Sequence, residues 1–325
     1  MFALLTLLAL LIEAIFGYSS QLYAWIGHPV TWIGKLIDWH EKRFNLPAAP
    51  RGLTIFRGVQ LTVTLVVVAG LAGLTSYLLP LLILPDLLAL MVIGLLVASL
   101  PAQRSLHQHV GAVRDALKQK QDLGPARQAL SMIVGRDTAQ LNESEIARAA
   151  TESLSENFSD GVTAPAIWLV VGGPAGGLIY KAVNTADSMI GHRNERYEAY
   201  GKAVARLDDL LNLPASRLSA LLIIAAAALT RGADAKMASR AVLADAHHHT
   251  SPNAGWPEAA MAGALGLALA GPRTYAGSTI EAAVMNRQGR RDATAQDIDF
   301  ALRLYRRADA LLILLIAAVA FLLLL

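Results

Sequence analysis

Apolar positions fall into long blocks with polar stretches between them. Residues 2–16 are nearly all Leu, Ala and Ile, interrupted by Glu13. Residues 59–79 and 81–100 are apolar on either side of Pro80, and residues 308–325 form a last apolar block. About 20 apolar residues in a helix cross a bilayer, so these four blocks are predicted to span, the first being short for that purpose. The first block has no basic residue before it and no clear small-residue cleavage site, so it reads as an uncleaved helix rather than a secretory signal. Arg51 and Arg57 precede the central pair of spans and Arg104 follows it, which predicts cytoplasmic outer ends by the positive-inside rule and an external N-terminus.

Between the first two blocks, Trp25, Trp32 and Trp39 recur every seven residues, and Trp32, Ile33, Leu36, Ile37 and His40 share one helical face. An amphipathic helix at the membrane surface fits that pattern, because indoles favour the headgroup layer. From Ser105 the chain is polar. A helix is expected to about Gln121, then a second after Gly124-Pro125 ending near Gly135. Asn142 with Glu145 reads as a cap and first turn of a third. On that helix Glu152, Glu156 and Asp160 are four apart, and like charges at this spacing repel, so a compensating cation is expected.

Residues 162–180 could span by length but contain Pro165, Gly172, Gly173, Pro174, Gly176 and Gly177. A single crossing would put Lys181, Arg193, Arg196, Lys202 and Arg206 outside, against the charge rule. A broken or re-entrant segment, or a buried helical hairpin, is predicted instead. Residues 218–229 and 259–270 are apolar for only about a dozen positions, against the roughly 20 of a full crossing. They read either as core helices or as spans lengthened by flanking small residues. The fold class expected is all-α: a polytopic integral membrane bundle with an embedded, cytosol-facing catalytic helical layer over about 101–300, in one integrated domain of residues 1–325.

Composition agrees. Hydrophobic residues make up 54% of the chain and charged ones 16%, against roughly 25% charged in soluble domains. The net charge of +3 is spread between apolar segments, which suits helix orientation and gives no nucleic-acid-binding block. The absence of cysteine excludes disulfides, thiolate catalysis and Cys-based zinc or iron–sulfur sites.

Candidate chemistry concentrates between Glu152 and Asn212. Lys181, Asn184, Asp187 or Ser188, and Gly191 follow at three- and four-residue steps, one helical stripe. A cation, an amide, a carboxylate and a gap suit a phosphorylated ligand with Mg²⁺, which is held by one or two carboxylates plus phosphate oxygens. Asp208, Asp209 and Asn212 form a second such cluster. Each alone could equally be a solvated, capped helix face; together with the Glu152–Asp160 acids they favour a site. The run from Gly172 to Gly177 has no Lys-Ser or Lys-Thr after it and is no Walker loop. It reads as packing or helix breaking. His247, His248 and His249 are consecutive and would diverge on a helix, which favours structural or ligand-edge roles. His28 is either the turn residue before Pro29 or a substrate-facing group.

The motifs occur in a fixed order: His28-Pro29-Val30; Glu152-Ser-x-Ser155-Glu156-Asn157-x-x-Asp160-Gly161; Lys181-x-x-Asn184-Thr185-x-Asp187-Ser188-Met189-x-Gly191; Arg206-x-Asp208-Asp209-x-x-Asn212-x-Pro214-x-x-Arg217; and Ser251-Pro252-Asn253-x-Gly255-x-Pro257-Glu258. In this the chain resembles the cobinamide-phosphate synthase family, the CobD/CbiB-type proteins of cobalamin biosynthesis, from His28 to about Gly277. It departs at the start, where Glu13, Gly17, Tyr18 and Ser19 stand in place of the family's Asp and Gly-Asp-Pro turn.

The resemblance implies an enzyme of the bacterial inner membrane, with its active site facing the cytoplasm. It would join aminopropanol or its phosphate to a propionate carboxylate of adenosylcobyric acid, with ATP and Mg²⁺, alongside other membrane enzymes of cobalamin assembly. A carboxylate is a poor acyl donor and needs activation, most simply as an acyl phosphate. On this reading Asp187, Asp208 and Asp209, with Asn184 or Asn212, would hold Mg²⁺ and the nucleotide phosphates. Lys181, His192 and Arg206 would steady the transferring phosphoryl group. Glu152 or Glu156 would deprotonate the incoming ammonium. Asn157, Asp160, Ser188 and His28 would contribute to ligand binding, and Ser251, Asn253 and Glu258 would line the substrate pocket. The rivals are a Mg²⁺-dependent membrane prenyl or phosphoalcohol transferase, and a non-catalytic sensor or permease-like relative.

Overall fold

The structure, a computed structural model, describes residues 1–119, 122–271, 273–275, 278–280 and 283–323, with backbone alone at 20, 22, 273–275 and 278–280. Leu325 and Gly277, where two sequence-based limits fall, lie outside the described residues. In chain order the helices are α1 (Phe2–Phe16), α2 (Ser20–Ile26), α3 (Pro29–Phe44), α4 (Arg51–Ile83), α5 (Asp86–Val97), α6 (Gln103–Lys118), α7 (Gly124–Ser131) and α8 (Glu143–Phe158). A π turn (Ser159–Thr163) leads into α9 (Ala164–Ile190), followed by α10 (Lys202–Ala228), α11 (Ala235–Asp245), α12 (Gly255–Leu265) and α13 (Ala295–Leu322). Between α12 and α13 lie β1 (Leu269–Ala270), β2 (Arg273–Tyr275), β3 (Ser278–Ile280) and β4 (Val284–Met285). Strand β1 pairs antiparallel with β4, and β2 with β3. These strands take up the end of the segment 259–270 expected to be helical: α12 stops at Gly266, whose backbone is left-handed.

Among the described residues, three helical stretches are long and apolar enough to cross a membrane: Arg51–Ile83, Glu143–Ile190 and Lys202–Ala228. Only 17% of the apolar window of α4 is buried, and Val59, Val63, Val67, Leu71, Leu74 and Leu78 stand exposed along it. So large an apolar surface is unfavourable in water and natural in lipid. The all-α membrane fold therefore holds. The block 218–229 is the second half of α10, while α12 is short and buried. The block expected as the closing span falls in the latter part of α13, which is not among those three stretches.

The reversal expected at Pro80 is displaced. Helix α4 runs through Pro80 to Ile83, and the turn falls at Leu84 and Pro85. Pro80 forfeits one internal hydrogen bond, whereas Pro85 holds Leu84 extended at φ −120°, ψ 153° and then starts α5. The third expected span, 81–100, is thereby reduced to the 12 residues of α5.

The single integrated domain expected resolves into two compact units that interleave along the chain. Unit one comprises Met1–Ala102, Ala164–Asn212 and a last segment from Ile316; unit two comprises Gln103–Thr163 and Leu213–Leu315. Within the expected layer 101–300, Ala164–Asn212 groups with unit one.

In unit one, α9 packs on α1, α3, α4 and α5. Its core face carries Ala182, Val183, Ala186 and Ile190, against Ile37 of α3, Leu61 and Leu65 of α4, and Tyr200 and Val204. The broken helix expected over 162–180 is present. Gly173 sits at φ 58°, ψ −151° inside α9, directly before Pro174, in a region open essentially to glycine alone. A Cβ on Gly176 would stand 2.4 Å from the Trp168 carbonyl oxygen, so the halves fold back on each other about this break. Helix α3 is amphipathic as expected: Ile37, His40 and Glu41 are buried while Trp32 and Trp39 are exposed.

In unit two, α8 starts at the expected Asn142 cap, with Glu145 closing the box. It packs against α6, α7 and α12. Phe158 meets Tyr305 edge-on, and the Tyr305 hydroxyl donates to the Gln103 carbonyl at 2.8 Å. Arg114 and Lys118 both pair with Asp299, tying α6 to α13.

Gly173→Ala is expected to lower the unfolding free energy by about 1–3 kcal/mol, and its Cβ would also press on the Phe2 ring at 2.8 Å. Gly172, with open space around its Cβ position, should accept alanine nearly neutrally. Denaturant unfolding of both variants in detergent checks the contrast.

Candidate functional site

The core face of α9 leaves Lys181, Asn184, Asp187 and Ser188 on its other side. Asp208, at the start of α10, is 7% exposed. One of its oxygens accepts from Asn184 Nδ2 at 3.3 Å, the other from Asn212 Nδ2 at 2.9 Å. The Tyr180 hydroxyl donates to Asn212 Oδ1 at 2.8 Å. A buried carboxylate needs such donors. The i, i+4 spacing of Asp208 and Asn212 supplies one, and the facing helix the other.

Asp187 lies where its carboxylate interacts with Asp208, Asp209 and His192. Asp209 in turn lies near Arg206 and Arg193. A Cβ on Gly191 would come within 2.0 Å of Asp187 Oδ1, so the expected gap at Gly191 is the space that carboxylate occupies. The Ser188 hydroxyl donates to the Asn184 carbonyl at 2.9 Å and stays on the exposed side. Lys181 sits within electrostatic reach of His28.

His28 caps α3: Nδ1 accepts from the Val30 N–H at 3.2 Å, and Thr31 Oγ1 accepts from the His28 N–H at 3.1 Å. The turn role is therefore filled, beside the Lys181 charge.

In unit two, Glu152 is buried, and the expected compensating cation is Arg136, whose Nη2 donates to Glu152 Oε2 at 3.2 Å. Glu152 Oε1 accepts from the Ala270 N–H at 2.8 Å. Glu156 and Asn157 are exposed on the same helix, while Asp160 falls within the π turn, where the widened backbone ends the four-residue repeat. Ser251, Asn253 and Glu258 gather at the start of α12. Ser251 Oγ accepts from the Asn253 and Ala254 N–H groups. Asn253 Oδ1 accepts from Ser216 and from Arg217, whose guanidinium stacks on Trp256. Glu258 is buried opposite His249, with Nε2 4.0 Å away. The Ser251 and Asn253 side chains are engaged in building the turn. His247 and His248 are exposed on a 3₁₀ turn, with ring centroids 3.9 Å apart.

Sequence reasoning missed Tyr180, whose only signal was a hydroxyl within an apolar run. It also missed the buried pair of His40 Nδ1 with the Tyr200 hydroxyl at 2.7 Å, and Arg196 held by Glu41 at 2.7 Å. Both of those join residues far apart in the chain.

The family model for CobD/Cbib protein matches residues 6–305. The chain belongs to the CobD/Cbib family. The match extends past both limits of the resemblance seen in the motifs. Among curated members, "Cobalamin biosynthesis protein CobD" of Brucella suis is 47% identical over 301 residues, 92% of this chain and 90% of that one. Proteins of the same name from Rhizobium meliloti and Rhodobacter capsulatus are each 45% identical over 99% of this chain and 98% of their own. No solved structure matches. As a CobD/Cbib member the chain belongs among the proteins of cobalamin biosynthesis.

The donor set in unit one consists of hard oxygens, which is the chemistry Mg²⁺ takes. Among the described residues no three acidic or histidine side chains are gathered as ready-made metal ligands.

Two outcomes follow. Asn212→Leu should cost about 1–3 kcal/mol, the penalty of leaving buried polar partners unmatched. Tyr180→Phe should cost less, because it removes a single neutral hydrogen bond; chemical unfolding of the two variants ranks them. Burial, then the Lys181 charge, lowers the His28 pKa, and burial lowers that of His40. Stability from these neutral imidazoles is present above the unfolded value of about 6.5 and is lost as pH falls through the lower folded values. Unfolding midpoints should therefore drop on acidification below about pH 6.5, and drop less steeply in His40→Gln.

Proposed function

We propose that the protein is a cobinamide-phosphate synthase: an ATP- and Mg²⁺-dependent ligase that forms an amide between aminopropanol, or its phosphate, and a propionate carboxylate of adenosylcobyric acid. The observation that carries this reading is the set in unit one. Asp208 is sealed between Asn184 and Asn212, with Asp187 and Asp209 close by and His192, Arg193 and Arg206 exposed around them. Family membership and the names of the relatives support the pathway.

The chain's own residues divide the work. Asp187, Asp208 and Asp209 would hold the divalent ion, whose role when bound is to neutralise phosphate charge. Asn184 and Asn212 fix the carboxylate of Asp208 and keep it from swinging. Lys181, His192 and Arg206 would orient the phosphoryl group and spread its charge. In the overall reaction one carboxylate oxygen leaves with the transferred phosphoryl group as inorganic phosphate, the amine nitrogen takes its place, and the ammonium proton passes to a base. Of the two glutamates considered for that role, Glu156 is exposed and Glu152 is held on both oxygens.

We place the protein in the bacterial inner membrane with this set toward the cytoplasm, on the strength of Arg51, Arg57 and Arg104 flanking the apolar hairpin. Other membrane enzymes of the same assembly would be its neighbours.

The test supplies detergent-solubilised protein with adenosylcobyric acid, aminopropanol phosphate, ATP and Mg²⁺, and follows product mass and ADP. Amide product is expected with wild type, and Asp187→Ala and Asp208→Ala should each reduce its rate at least 100-fold, on the order of losing one strong electrostatic contact to the reacting group. Near-normal rates in both variants would remove the metal and phosphate assignment. Pyrophosphate release without ATP consumption would point to a transferase instead.

A further inference from the structure

Unit one holds a cavity of about 340 Å³ walled by residues of α3, α4, α5 and α9 and of the segment just after α5. The sequence accounts for the space. Ala69, Ala72 and Ser76 stand three and four residues apart on one face of α4, and α9 contributes Ala182. These short side chains leave room that Ile33 and Leu36 of α3, both only partly buried, do not fill. Ala69, Leu100 and Ala182 are buried within it, whereas Trp32, Val68 and Leu96 are exposed. The cavity therefore reaches the surface along α4 and α5. There Val68 and Ala72 adjoin Val67 and Leu71, members of the exposed apolar stripe of α4 that lipid covers.

The chemistry of the walls selects the guest. No wall side chain carries a charge, and the three polar ones are already satisfied. The Ser76 hydroxyl donates to the Gly73 carbonyl and the Ser99 hydroxyl to the Leu96 carbonyl, each at 2.8 Å. Trp32 Nε1 donates to the Ile26 carbonyl at 3.0 Å. A guest with hydrogen-bonding groups would give up its water here and meet no partner. Water itself needs about two to four polar contacts to settle in a cavity. Hydrocarbon loses nothing by entering. The volume lies near the lower end of ligand pockets, about 300 Å³, which suits one flexible chain. Because the opening is on the lipid-facing side of α4, the hydrocarbon that reaches it is the bilayer's own.

We propose that this cavity binds one acyl chain of a bilayer phospholipid. The chain acts as a wedge between α3 and the pair α4 and α9. The buried positions of α3 are Ile37, His40 and Glu41; the chain covers Ile33 and Leu36 beside them and so completes the seating of this helix. The site is independent of the ligase reading, and activity is not its readout.

The experiment takes full-length protein in detergent, stripped of lipid, and titrates it with a phosphatidylethanolamine bearing a brominated acyl chain. Bromine quenches an indole that it touches, and the Trp32 signal is the difference between wild type and Trp32→Phe. Wild type should lose Trp32 emission in a saturable step at one lipid per protein. Ala72→Phe, at the mouth, and Ala69→Leu, deeper in, should each weaken that step by about tenfold or more, the order expected when about two methylenes lose their burial. Glycerophosphoethanolamine, the same headgroup without chains, should not compete; competition by it would overturn the acyl-chain assignment. Tighter binding of a brominated free fatty acid would overturn the phospholipid as its source. Quenching equal to wild type in both filled variants would show that Trp32 meets only the surrounding lipid, and the site would fall. Should neither variant fold, wild type decides alone: quenching that rises without saturation would likewise remove the site.

Discussion

The constraint from which unit one takes its form is the burial of the Asp208 carboxylate among apolar helices. Left unmatched, a charge in such surroundings is costly enough to prevent the packing. Its donors come from its own helix, through Asn212 one turn on, and from the facing helix, through Asn184. Tyr180 then completes Asn212 from one turn before Asn184. Two contacts between α9 and α10, braced by the one within α10, thus fix both rotation and height, since a shift of one residue turns a helix side chain by about 100°. The same face of α9 carries Lys181 and Asp187. The reversal at Gly173 folds the first half of α9 back on the second.

Much of this could be read from the chain because it is local. The Asn142 and Glu145 cap, the stripe from Lys181 to Gly191, the break within the Gly-rich run and the amphipathic α3 all depend on spacings of a few residues. The displaced turn shows how local rules compete. Two prolines five residues apart offered two breaks, and the one that followed an extended residue took it. What could not be read is non-local. Nothing in the sequence joins Glu152 to Ala270, Glu41 to Arg196 or His40 to Tyr200, because each partner lies more than a hundred residues away. The two interleaved units are hidden for the same reason: composition varies along the chain, whereas the units are defined by what returns to what.

Unit two shows how little residue type alone says about role. Glu152, Glu156 and Asp160 stand at one spacing in the sequence and end in three environments. The first is neutralised by Arg136 and a backbone N–H, the second faces a cavity, and the third enters a π turn. Ser251 and Asn253 look like ligand-binding residues, yet their polar atoms are spent on the turn that starts α12 and on Ser216 and Arg217. Burial with complete partnering marks a residue that holds the scaffold.

The same distinction orders the charges of unit one. Asp208 is buried, Asp187 and Asp209 are half-buried, and His192, Arg193 and Arg206 are exposed. A polyanion approaching from water meets the cations first and is drawn in by them. Beyond them it meets carboxylates, which would repel a bare phosphate chain at close range. On the proposed function, cations outside and acids within would favour a metal-complexed phosphate over a free one, and that is the purpose this reading gives the ordering of the charges.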